Sequence, residues 1–303
     1  MITPAQVQAA YIRACYLDVE ALKPGNVSHC APGHHMEAAA FKASAQVSAP
    51  VLAGPGIQLG QRIYGAVAAT KRTVRCNTNL GIILLCAPLA QAALNHAGGS
   101  FRTTVADVLR QTTVDDTEKV YQAIRLAAPG GLGASPAHDV AADPTVDLHT
   151  AMTHAASWDQ IASEYANGFE GLWDRVLPTL DAALERWGGD LRWATTDLYL
   201  YLLADQPDTH VCRRNGVRAA QELRDQARSM RQFFLNSDNR ASVHRELERM
   251  DGCLKSAGIN PGTTADFVVA GHCLARLRDS RALSVGTHPG ATSGSIGFLQ
   301  GVV

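Results

Sequence analysis

Segment after segment of this chain repeats its apolar residues at the 3.6-residue helical period, and no stretch alternates as a half-buried strand would. Thr3-Pro4-Ala5-Gln6 opens the first segment with a capping residue, a proline suited to the first helical position and a capping-box glutamine. Val7, Ala10, Tyr11, Ala14, Leu17 and Ala21 then keep helical spacing until Pro24-Gly25 stops it. Further helices are predicted over 36–48, 57–71, 79–96, 104–110, 115–127, 146–154, 157–186, 190–204, 211–234, 239–257 and 262–279. Many helices on short loops predict an all-α fold with one multi-helix domain over residues 1–280.

The chain has 303 residues, 46% of them hydrophobic, enough for a substantial core. Its formal net charge of −1 gives no global field for nucleic acid or a membrane surface. The run from Leu80 to Leu94 is shorter than a membrane span and reads as a core helix. Seven cysteines, without a C-x-x-C pair or a secretory leader, predict buried thiols in a reducing cytoplasmic setting. His29, His34 and His35 lack a second cluster that would complete a zinc site. Arg218, Arg224, Arg228 and Arg231 are interrupted by Glu222 and Asp225 and read as a solvated face, as do Asp159 and Glu164. Residues 281–303 are rich in Gly, Ser and Thr, leaving two expectations open: a disordered tail, or a segment docking on a second subunit of a homodimer.

Three short segments combine polar side chains with helix entrances or Pro-Gly corners: Lys23-Pro24-Gly25-Asn26, Asn77-Thr78-Asn79-Leu80-Gly81 and Asn260-Pro261-Gly262-Thr263-Thr264-Ala265-Asp266. The first turn of a helix offers unpaired N–H groups and a positive dipole end, which suits an anionic ligand. Pro129 to Thr145 is long for a connection in a compact domain and carries Gly130, Gly131 and Gly133, so it reads as functional or mobile. It matches neither a P-loop nor a dinucleotide fingerprint.

With Asp208-Thr209-His210 and Arg214-Asn215-Gly216 added, these segments in this order resemble the triphosphoribosyl-dephospho-CoA synthase family across about residues 10–279. The family's Asn-Thr-His-Lys-Gly motif reads Asn77-Thr78-Asn79-Leu80-Gly81 here, without its histidine and lysine. The Asp-Met pair that usually follows the family's Lys-Pro-Gly is replaced by His35-Met36.

The resemblance implies an all-α transferase that moves the triphosphoribosyl group of ATP, with Mg²⁺, to the 2′-hydroxyl of 3′-dephospho-CoA and releases adenine. Cleaving the N-glycosidic bond builds positive charge on the ribose and negative charge on the base, so carboxylates, hydrogen-bond donors and cations are expected around the sugar and phosphates. On this reading Glu20 and Asp139 are expected on the hydroxyl side, with Asn77 and Asn79 at the leaving base or ribose. Lys23, Thr78, His210, Arg214 and Thr264 are expected to bind substrate, and Asp208 and Asp266 to hold the metal. An α-linked product from a β-nucleoside implies one inversion at the transferred carbon. The missing His-Lys pair keeps a rival open: another phosphoribosyl donor such as phosphoribosyl diphosphate, or another alcohol acceptor such as a tetrahydromethanopterin precursor. A non-catalytic nucleotide- or CoA-binding protein is a third expectation.

Overall fold

Thr3 opens α1 (Pro4–Glu20) as the sequence predicts, with its hydroxyl accepting from the Gln6 N–H and the Gln6 side chain returning the bond. The computed structural model describes residues 2–28 and 37–285, with side chains through 280. The histidines at 29, 34 and 35, Cys30 and the tail beyond 285 lie outside the described residues.

From α1 the chain runs through α2 (Ala38–Leu52), α3 (Leu59–Val74), α4 (Leu80–Asn95), α5 (Phe101–Arg110) and α6 (Val114–Ala127). After the Gly-rich loop come α7 (Leu148–Ala155), α8 (Gln160–Asn167), a π-helical turn Leu172–Val176, α9 (Leu177–Arg186) and α10 (Leu191–Asp205). The final helices are α11 (Thr209–Asn215), α12 (Val217–Asn236), α13 (Arg240–Ser256) and α14 (Gly262–Val285). The chain is all-α, with no sheet among the described residues, and no helix there is long and apolar enough to cross a membrane.

The apolar run predicted as a core helix is α4. Ile83, Leu85, Ala87, Leu89, Ala92 and Ala93 on it are completely enclosed, and burial of each larger side chain contributes about 1.5–3 kcal/mol. Because α4 is apolar on nearly every side, it must be surrounded, and α3, α5 and α14 pack against it. Helix α14 also packs on α1, so α1, α4 and α14 form the centre, with α2, α3 and α6 associated on one side and α9, α10 and α12 on the other.

Two predicted helices are each divided. The segment 157–186 breaks after α8, where Gly168 and Phe169 both take positive φ, 73° and 67°. The segment 211–234 breaks at Gly216, whose φ of 91° ends α11 and starts α12 in a new direction. Apolar periodicity continues across both breaks because both flanking helices bury their faces in the same core. At the other end α14 runs to Val285, into the segment expected to be a tail.

Candidate active site

The Pro-Gly corners predicted at residues 23–25 and 260–262 interlock. Gly25, at φ +83°, lies so close to Pro261 that a Cβ would come within 2.9 Å of its ring, and the Gly25 N–H donates to Asp251 at 2.8 Å. The Asn26 amide donates to Asn260 Oδ1 at 2.9 Å, and Tyr199 OH donates to the Pro24 carbonyl at 2.7 Å. The clasp fixes the end of α1 against the start of α14.

The entrance of α4 meets the same place. Asn77 accepts from the Leu80 N–H there at 3.1 Å, two residues before the N-cap position, which Asn79 occupies. Thr78 shares a 2.6 Å hydroxyl contact with Ser44, while the Asn79 amide nitrogen points at Tyr11 OH and Ser48 Oγ, each at 3.4 Å. Gly81 lies against Asp266 of α14, where a Cβ would sit 2.0 Å from the carboxylate oxygen. Only glycine lets α4 approach that carboxylate so closely.

Between these entrances, the Gly-rich loop and α7–α8 lies a cleft of about 1190 Å³. Asn77, Thr78, Asn79, Asp139, His210, Arg214 and Asp266 all line it, seven of the expected site residues. His210 and Arg214 share one face of α11, as their four-residue spacing predicts. Arg214 lies against Gly130, where a Cβ would meet its guanidinium at 2.1 Å, and has no carboxylate in ion-pair range among the described residues.

The remaining expected residues lie elsewhere or are already engaged. Glu20 does not line the cleft; Arg13 holds both of its oxygens, at 2.9 and 3.0 Å. Helix α1 ends at Glu20, so the helical spacing that would have joined Glu20 to Lys23 no longer applies. Lys23 is fully buried beneath the cleft, its ammonium 2.7 Å from Asp18 and 2.6 Å from Asn26 Oδ1. Burial pushes the Asp18 carboxyl up and the Lys23 ammonium down, and their contact opposes both shifts. Asp18 lines the cleft, so α1 contributes Asp18 to the site in place of Glu20.

Asp208 is fully buried and saturated with donors: Val211 N at 2.9 Å, Thr264 N at 2.7 Å and Thr264 Oγ1 at 2.8 Å. It caps α11 and ties down the start of α14, which leaves neither Asp208 nor Thr264 facing the cleft. Asp139 faces the cleft but accepts from Ser135 N at 2.5 Å and Ala141 N at 2.8 Å. Those N–H groups hold its carboxyl below the ordinary range and engage it as a tie of the loop.

Asp266 is the contrast. Burial, then the nearby Asp18 and Asp208, push its carboxyl well above the usual value, and among the described residues no donor or cation is in direct contact with it. Asp159 also has a defined position: it caps α8 and pairs with Arg213 at 2.6 Å on the cleft wall. Glu164 is only 3% exposed and accepts from Leu172 N at 3.0 Å, so it is a core residue, not a solvated one.

The sequence profile of CitG, described as ATP:dephospho-CoA triphosphoribosyl transferase, matches residues 4–284. The chain belongs to the CitG family. Its structure resembles a crystal structure from Archaeoglobus fulgidus that is provisionally assigned as a triphosphoribosyl-dephospho-CoA synthase. The TM-score is 0.60 at 25% identity, covering 78% of this chain and 97% of that one. No curated protein matches. Membership in the CitG family makes the protein a transferase of the triphosphoribosyl-dephospho-CoA synthase type, acting on a triphosphoribosyl group. Asp18, Arg213 and Lys255 are cleft residues that sequence reasoning missed. Asp18 was legible only as a polar residue among the apolar positions at the end of α1.

Proposed function

We propose that the protein transfers the triphosphoribosyl group of ATP to the 2′-hydroxyl of 3′-dephospho-CoA, releasing adenine. The observation that carries this reading is the Asp266 carboxylate, without a direct partner among the described residues, in one cleft with Arg214. The cleft volume of about 1190 Å³ exceeds the roughly 300–1,000 Å³ of ordinary small-ligand sites, which supports two substrates held together.

Arg214, Arg213 and Lys255 give the triphosphate a cationic side, with Arg213 braced by Asp159 and Lys255 by Asp251, and His210 adds a ring nitrogen to the same wall. Asp18 and Asp266 stand where the ribose cation develops. Asp266, open to the cleft and without a direct partner among the described residues, can hold a metal ion beside the triphosphate and the ribose. With the acceptor arriving opposite adenine, one displacement gives the α-linked product implied by the family.

Magnesium fits this donor set. Asp266 and Asp18 offer the one or two carboxylates that Mg²⁺ takes when phosphate oxygens complete its shell, whereas Asp208 is closed by N–H donors. When bound, the ion would neutralise triphosphate charge and stabilise its orientation. Lys23 acts below the cleft by holding Asp18 in place through their 2.7 Å contact.

Mass spectrometry of the product from ATP and dephospho-CoA tests the reading, and NMR of its anomeric carbon tests the inversion. A β-linked product would refute a single displacement; no product would refute the substrate pair. A second reading is favoured by Asn79 and Leu80, which replace the family's His-Lys pair, and by the inward-turned Asn79 amide. It keeps the cleft and changes the acceptor to another alcohol, such as a tetrahydromethanopterin precursor, or the donor to phosphoribosyl diphosphate. The same assay with those compounds distinguishes it.

A further inference from the structure

One wall of the cleft is aromatic. The rings of His154 on α7 and Trp158 stand nearly perpendicular, 5.3 Å between centroids and 87° between planes, and those of His154 and His138 of the Gly-rich loop do the same at 5.4 Å and 86°. All three line the cleft together with Leu132. Trp158 is 48% exposed and Leu132 43%, large apolar side chains left open in a chain whose other tryptophans are half-buried against the core. The edge-to-face arrangement orients each ring through its quadrupole.

The loop is built to hold this wall. His138 takes φ +53°, an uncommon conformation for a residue with a Cβ, and its carbonyl accepts from Tyr121 OH at 2.5 Å. Asp139 ties the residues on both sides of it to the loop backbone, and Arg125 donates to the Val140 carbonyl. His154 Nε2 is sealed from solvent without a hydrogen-bond partner.

We propose that Trp158, His154, His138 and Leu132 form a subsite for a purine ring, with the indole face as its stacking platform. The cations Arg213 and Arg214 line the same cleft, so the ligand class is a flat nitrogen heterocycle carrying an anionic tail. The transfer reading enters only in choosing purine as that ring. ATP and dephospho-CoA both carry adenine, and the shared chemistry is the base.

Titration of the full-length protein with adenosine, followed by tryptophan fluorescence, tests the subsite. Adenosine should quench the wild type, and Trp158→Phe should abolish most of the quench while retaining affinity within about threefold, because a phenyl ring still stacks. Trp158→Ala should weaken adenosine about 10- to 100-fold, the usual effect of removing one base-stacking ring, and leave ribose 5-phosphate binding unchanged. Trp158 is exposed, so circular dichroism of both variants should match the wild type. Weaker binding of ATP alone would assign the wall to the donor's base, and weaker binding of dephospho-CoA alone to the acceptor's. Unchanged adenosine affinity in Trp158→Ala, or a wild type that adenosine does not quench, overturns the proposal even if transfer activity is present. Quenching lost with Trp158 in a protein that transfers nothing would retain the subsite and refute the transfer reading.

Discussion

Two aspartates that look alike in sequence, each near the start of a helix, have opposite circumstances. Asp266 has no direct partner among the described residues and has like charges nearby; Asp208 is filled with N–H and O–H donors. Asp266→Asn should therefore melt at or above the wild-type temperature and lose the stabilisation that magnesium and ATP give the wild type. Asp208→Asn turns an amide against the Thr264 donors and should cost about 2–4 kcal/mol of stability. Denaturant unfolding with and without nucleotide separates these outcomes, and the reverse pattern would exchange the roles. Lys23→Met leaves Asp18 buried without its cation and should cost about 3–5 kcal/mol. Equal destabilisation with and without ATP would mark it as a positioning residue; a stable variant with weakened ATP binding would contradict that role.

At the scale of elements, contacts between helices decide what a local pattern becomes. Gly81→Ala would place a methyl on the Asp266 carboxylate, 2.0 Å from its oxygen. Transfer should fall at least about 100-fold from carboxylate misplacement, with the far-ultraviolet spectrum unchanged; full activity would mean that Asp266 is not needed where it stands. The break after α8 is another such contact. Glu164 accepts the Leu172 and Gly171 N–H groups at the start of the π-turn, and burial raises its carboxyl from an ordinary 4.5 to about 7. The folded state then holds a proton that the unfolded chain has released, so stability falls as pH rises from about 4.5 to 7 and levels off above. The loss is up to roughly 3 kcal/mol, and Glu164→Gln should flatten that limb of the stability curve. Identical pH profiles for the two proteins would refute this.

Across the whole molecule, what sequence could show was what depends on near neighbours. Capping at Thr3, the apolar α4 and the Pro-Gly corners are local, and each stands as read. The divisions at Phe169 and Gly216 were hidden because the core rewards the same apolar spacing on both sides of each turn. For the cleft, the motifs located its walls at Asn77–Gly81, His210, Arg214 and Asp266. They could not distinguish a carboxylate facing substrate from one consumed by donors, since that depends on residues about fifty positions away, as Thr264 is from Asp208. The positions of Lys23 and Glu20 off the cleft were hidden for the same reason: one turn past the end of α1 decides which carboxylate the lysine meets.

Adenine release from ATP, measured for wild type and Asp266→Asn with and without dephospho-CoA, tests the central claim most directly. The wild type should release one adenine for each dephospho-CoA consumed, and the folded variant should be slower by at least about 100-fold, the scale expected when one group that stabilises transition-state charge is removed. A variant that releases adenine at the wild-type rate would contradict the assignment of this cleft as the site of transfer.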